Sequence, residues 1–136
     1  MGIYHVVGIR LTRINCVPPS ELTRQHLIAE YRELPRIFGL VRAAVERGEQ
    51  PSDRRKPQAY TLGTGHCRFF YSRLGWLSYR QACLIAEMKR RGYNVNFSDV
   101  AGLIVGIPWE WFGAWEPDDA ALAINRARIQ ERLDSG

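Results

Sequence analysis

A chain of 136 residues with 46% hydrophobic residues and four Trp has the size of one domain and the apolar content of a globular fold, which argues against a disordered chain. A chain this long buries roughly two-thirds of its unfolded surface. The formal net charge of +5, dominated by arginine, suits an anionic partner and bidentate phosphate contacts. Three scattered cysteines without a CxxC argue against a disulfide framework, a zinc site or an iron–sulfur cluster. Cys16, Cys67 and Cys83 read as buried or neutral thiols in a reducing cytoplasm. No run nears the ~20 apolar residues of a membrane span.

Residues 1–11 are apolar but too short for a signal peptide, and they read as an edge strand or an unstructured start. Pro18-Pro19 then stop regular structure. Ser20 is a suitable N-cap and Glu21 a suitable first-turn residue for a helix over 20–47, closed by Gly48. Leu27, Tyr31, Leu34, Phe38 and Val41 form its apolar stripe. His26, Glu30 and Glu33 share one polar stripe, and Gln25, Arg32 and Arg36 the other. Pro35 should kink this helix. A kink beside a carboxylate flanked by two arginines singles out Glu33.

The loop 48–58 carries Arg54, Arg55 and Lys56 and reads either as a solvated loop or as a phosphate-contacting one. In 59–74, Gly63 and Gly65 break the pattern, and GTG lacks the βαβ context of a dinucleotide fingerprint. His66 reads as a packing or capping residue, and Phe69, Phe70 and Tyr71 as core. A second helix runs from residue 77 or 78 to 91, closed by Gly92, with Ala82, Ile85 and Met88 or Lys89 marking its apolar face. Its basic end matches the helix dipole.

A short helix can follow Ser98. Trp109, Trp111, Trp115 and Phe112 gather around Pro108, as core or lid or as a stacking surface for bases. A last helix follows Pro117-Asp118-Asp119, with Ala120, Ile124, Ala127 and Ile129 or Leu133 on its apolar side and Arg126, Arg128 and Arg132 as decoration. There are no repeats. The expected class is all-α: a compact single domain of about three main helices with irregular connections.

TRIN, SEL, QHLIAEYRELPRIFG, LGTGHCRFFY, RQACLIAEMKRRG, IP and AINRAR occur in this order. Together they resemble the phage-type endonuclease V family of pyrimidine-dimer DNA glycosylases, over about residues 12–132. The resemblance implies a mostly helical, monomeric, cytoplasmic enzyme with no metal or cofactor and no membrane association. It implies binding to double-stranded DNA at cyclobutane pyrimidine dimers or abasic sites, kinking and base flipping. Glycosidic cleavage and a strand nick by β-elimination follow. The family nucleophile, the α-amine of a Thr exposed by Met removal, matches Thr12. The catalytic carboxylate matches Glu33. DNA contacts match Arg13, Gln25, His26, Arg32, Arg36, Arg128 and Arg132.

The chemistry explains the choice of group. Forming an imine at the sugar C1′ needs a neutral primary amine. An α-amine is about a quarter neutral at pH 7.4, whereas a lysine is about 0.1% neutral. A nearby carboxylate moves protons and stabilises the cationic sugar.

Two departures set further expectations. Thr12 is not first as written, so its nitrogen is an amide. Leu11 stands where the family has its initiator Met. Residues 1–11 are therefore expected to be an extension from a misassigned start, and 12–136 the glycosylase domain. The family's aromatic and basic tail has no counterpart after Leu133, so weaker lesion selectivity is expected, with the Trp109, Trp111 and Trp115 cluster as a partial substitute. Two other readings stay open: a non-catalytic duplex-binding module with a blocked Thr12 amine, and an abasic-site lyase with weak dimer selectivity.

Overall fold

The computed structural model describes residues 12–135 apart from 97 and 99. The reading of residues 1–11 as an edge strand lies outside the described residues. The fold is all-α, and no strand occurs among the described residues. Helices α1 (Arg24–Glu33), α2 (Pro35–Glu46), α3 (His66–Phe69), α4 (Leu74–Arg90), α5 (Ala101–Ile104) and α6 (Asp119–Ser135) follow in order, with 3-10 turns at Pro19–Glu21 and Trp109–Trp111.

The first long helix starts later than expected. Pro18 and Pro19 fix the chain into the 3-10 turn, and Thr23 rather than Ser20 is the N-cap, its side chain accepting from His26 N–H at 3.2 Å. Pro35 then divides the expected helix into α1 and α2 at Leu34. Pro35 has no N–H to give the Tyr31 carbonyl one turn back. Gln81 of α4 supplies the missing donor, Nε2 to the Tyr31 oxygen at 3.1 Å. The break is thus sealed from outside, and it leaves Glu33 at the end of α1 and Arg36 in the first turn of α2.

The stripe Leu27, Tyr31, Leu34, Phe38 and Val41 is buried throughout, as its spacing demands. Glu30 is a correction. It does not lie with His26 and Glu33 on a polar stripe flanking the core; its side chain is 0% exposed and bonded to Arg80 of α4 at 2.7 Å. Burying Leu27 and Tyr31 against α4 carries the residue between them inward, and Arg80 is there to neutralise it.

Helix α4 begins at Leu74, ahead of the expected start, because Trp76 N–H bonds the Gly113 carbonyl at 3.3 Å. The approach needs a glycine: a Cβ on Gly75 would sit 2.9 Å from the Phe112 and Gly113 oxygens. Ile85 and Met88 face inward as expected, but Ala82 is exposed and Leu74, Leu77, Gln81 and Leu84 complete the face. Gly48 and Gly92 close α2 and α4 with φ of +86° and +80°.

The expected apolar side of α6 is also corrected. Ala120, Ile124, Ala127 and Leu133 are exposed, while Ala121 and Asn125 are buried; Ile129, the alternative to Leu133, does pack against the core as expected. Asp118 caps this helix, accepting from Ala121 N–H at 2.8 Å. The tryptophans do not act together. Trp111 is buried, Trp115 stacks on Tyr60 at 5.9 Å and meets Trp76 edge-on, and Trp109 is 81% exposed. Phe69, Phe70 and Tyr71 are in the core, as expected.

Replacing Glu30 with Ala would leave the Arg80 charge buried and unpaired. The expected loss is about 3–5 kcal/mol of unfolding free energy, read by denaturant titration. A loss below about 1 kcal/mol would contradict a sealed ion pair.

Candidate active site and nucleic-acid interface

The irregular segment 12–17 runs between the helices and is held by side chains rather than by a strand partner. Ile14 N–H donates to His66 Nε2 at 2.8 Å, and the Ile14 carbonyl accepts from the Tyr60 hydroxyl at 2.9 Å. Cys16 and Val17 N–H both donate to Asn125 Oδ1, at 2.6 and 3.1 Å. Arg80 Nη1 donates to the Val17 carbonyl at 2.6 Å. A buried stretch with no ladder must satisfy its backbone this way or lose stability.

His66 is a structural lock. The Thr61 carbonyl 2.8 Å from Nδ1 can only accept, so Nδ1 carries the proton and Nε2 receives the Ile14 N–H. Burial pushes its imidazole down from 6.5 to about 4, so it is neutral at physiological pH.

Thr12 is 5% exposed, and its hydroxyl donates to Glu33 Oε1 at 3.3 Å. The same oxygen accepts from Arg36 Nη1 at 2.8 Å, and the Glu33 side chain remains 30% exposed. The threonine and the carboxylate singled out in the sequence, 21 positions apart, are therefore in contact.

The cations around them are linked through their fields. Burial lowers the Arg13 guanidinium below its ordinary value, and the charges of Arg128 and Arg132 lower it further. Burial and then Arg132 lower the His26 imidazole. Burial raises the Cys67 thiol, while Arg36 and Arg13 pull it back. The charges of Arg128 and Arg132 on α6 are thus felt at Arg13. Gln25 and Arg32 lie exposed on α1, two turns apart, without a bond that joins them to this group.

Among the described residues, no carboxylate pairs with Arg13, Arg32 or Arg132, whereas Arg47, Arg55, Arg68, Arg80, Arg90, Arg91 and Arg126 each have at least one. Arg128 keeps a peripheral contact with Glu131 at 3.2 Å. In the loop 48–58, Arg55 is held by Asp53 and Glu49, and Lys56 by Ser72 and the Pro51 carbonyl.

The residues that sequence reasoning missed are Asn15, Glu30, Arg80 and Asn125. Asn15 Nδ2 donates to Glu30 Oε1 at 2.9 Å, and Asn125 Nδ2 donates to Asn15 Oδ1 at 2.8 Å. No periodicity marks them, although Asn15 and Asn125 stand inside TRIN and AINRAR. Among the described residues, no helix is long and apolar enough to cross a membrane, and no three His, Cys, Asp or Glu side chains gather to hold a metal ion.

The all-α fold thus lays Thr12 against a partly exposed carboxylate. Residues 11–100 match the sequence profile of the pyrimidine dimer DNA glycosylase family. The chain belongs to that family, whose function is glycosylase action on DNA containing pyrimidine dimers. Arg128 and Arg132 of α6 lie beyond the matched residues.

Because His66 is neutral when folded and titrates near 6.5 when unfolded, the unfolded chain binds the extra proton between those values. Its contribution is fully present above about pH 6.5 and is lost as pH falls through about 4. His66→Gln can donate and accept at the same two places without titrating. Compared by denaturant unfolding, wild type should lose up to about 3 kcal/mol relative to this variant between those pH values. Parallel curves would mean His66 is not held neutral.

Proposed function

We propose that this protein is a pyrimidine-dimer DNA glycosylase with abasic-site lyase activity, with the Thr12 α-amine as nucleophile and Glu33 as its proton carrier. The Thr12–Glu33 contact in a chain of this family is the observation that carries the reading. The family match opens at residue 11, so Thr12 stands second in the matched region. Leu11 occupies the initiator position, and UUG or CUG there would be read as Met at initiation. Removal of that Met before the small Thr side chain would free the amine.

The neutral Thr12 amine attacks C1′ of the damaged nucleotide's sugar. The C1′–base bond breaks, and the base leaves with the electron pair and takes up a proton. The new N–C1′ bond becomes an imine as C1′–O4′ breaks. The nitrogen gives its proton to Glu33, and O4′ receives one. Loss of a C2′ proton then expels the 3′ phosphate and nicks the strand. Water hydrolyses the imine and restores the amine. Arg36, bonded to Glu33 at 2.8 Å, holds the carboxylate turned toward the sugar. Arg13, Gln25, His26, Arg32, Arg128 and Arg132 hold phosphates and keep the duplex bent, with the extruded base lowering the barrier to access.

With residues 1–11 retained, the Thr12 nitrogen is an amide, and such a chain is a duplex-binding module of the same fold. The test is borohydride trapping on dimer-containing and abasic duplexes, comparing the full chain with one beginning at Thr12. Only the second should give a covalent complex. A chain beginning at Met1 that traps equally well would sink the α-amine reading and point to a lysine. Trapping on abasic duplex alone would reduce the activity to a lyase. In the form that traps, Glu33→Gln should bind duplex within about threefold of wild type but lose about 10²–10⁴ in base release; loss of folding would make Glu33 structural.

Arg13, Arg32, Arg36, Arg128 and Arg132 act as one phosphate-binding face in this reading. Duplex affinity should therefore fall with salt at a log–log slope near −0.9 per phosphate neutralised, and each Arg→Ala change should flatten it by about one. A salt-indifferent affinity would overturn the DNA-binding face.

A further inference from the structure

Three buried polar groups bonded to one another in series, Glu30, Asn15 and Asn125, have no part in the proposed chemistry. We infer that Asn15 and Asn125, anchored on Glu30, are positioning residues: they fix the register of the 12–17 segment and thereby hold the Thr12 nitrogen beside Glu33. This rests on the reading of Thr12 as nucleophile.

Helix α1 carries two carboxylates one turn apart. Glu33 accepts from Thr12, and Glu30 accepts from Asn15. Positions 12 and 15 of the segment are thus gripped by positions 33 and 30 of a single rigid element. The two grips are unequal. The Glu33 contact is 3.3 Å long, and its carboxylate is 30% exposed. The Glu30 carboxylate is 0% exposed, also holds Arg80, and accepts from Asn15 at 2.9 Å. The sealed grip sets the register, and the open one is left free to exchange partners with substrate.

The ladder also has only one polarity. A carboxylate paired with Arg80 accepts only, so Asn15 must turn its Nδ2 toward Glu30. Its Oδ1 then faces Asn125, which must present Nδ2 and keep Oδ1 for the Cys16 and Val17 N–H groups. Asn15 and Asn125 are 4% and 0% exposed, so water cannot replace a broken rung. A slip of one residue would break every rung together and leave buried donors and acceptors unpaired. An attacking nitrogen tolerates little displacement, since about 1 Å can cost about 10²-fold in rate.

The test uses the wild-type form that traps DNA, its first residue read by N-terminal sequencing, with Asn15→Ala and Asn125→Asp in the same form. Asn15→Ala removes the rung and keeps the Glu30–Arg80 pair. Asn125→Asp keeps the acceptor for Cys16 and Val17 but loses the donor to Asn15. Ile85→Ala, a core change in α4, controls for stability. Both ladder variants should bind a duplex with a tetrahydrofuran abasic analogue within about threefold of wild type. Their single-turnover trapping rates should fall about 10- to 100-fold, with the pH midpoint of trapping unchanged. Ile85→Ala should trap at the wild-type rate well below its melting temperature. Wild-type trapping by both ladder variants overturns the inference, and so does an equal loss in Ile85→Ala. A wild-type protein that traps no DNA in any form overturns the amine reading and this inference with it.

Discussion

A carboxylate with no exposed surface is the constraint on which the rest of the protein depends. Ionised Glu30 is tolerable inside only because Arg80 meets it with two N–H groups, at 2.7 and 3.0 Å, and Asn15 with a third. Burial alone would lower the Arg80 guanidinium, but the Glu30 charge outweighs it and holds it above its ordinary value. Because Arg80 also reaches the Val17 carbonyl, one ion pair ties α1, α4 and the 12–17 segment together. Replacing such a pair by apolar groups can be neutral or stabilising elsewhere, so its retention here has to be explained by what it orients.

What it orients is set by the break at Pro35. An unbroken helix would keep Glu33 and Arg36 on one smooth surface. Ending α1 at Glu33 and restarting at Pro35 gathers the carboxylate, Arg36 and Thr12 at the junction. Gln81 absorbs the cost by bonding the carbonyl that proline cannot serve. The Thr12–Glu33–Arg36 contact and the helix termination are therefore one feature of this chain.

Much of this was legible in the sequence. The apolar stripe of the first long helix, the proline break, the glycine stops and the aromatic core at Phe69 and Phe70 follow from periodicity and backbone chemistry. Thr12 and Glu33 could be paired only because the long block around QHLIAEYRELPRIFG carried a family resemblance. Glu30 was placed with His26 and Glu33 on a polar stripe because helical spacing alone cannot show that a buried cation, Arg80, awaits one of them. The inner face of α6 was misread for a related reason. It meets the core through Ala121 and through Asn125, a polar contact that hydrophobic spacing cannot reveal, while Ala120, Ile124 and Ala127 face outward. Trp109 and Trp115 looked like one cluster because they are near in sequence, yet one faces solvent and the other stacks on Tyr60.

Asn125 lies 109 and 110 positions along the chain from the Cys16 and Asn15 groups it binds. Contacts of such separation close late, because the loop between them must be ordered first. During synthesis the 12–17 segment emerges early and finds its clamp only when α6 has followed. Until then His66, Tyr60 and Arg80 can hold Ile14 and Val17, but the Cys16 N–H and the Asn15 oxygen lack their partner. The acceptor for Cys16 and the last rung on Asn15 thus arrive together with α6, and one residue completes both.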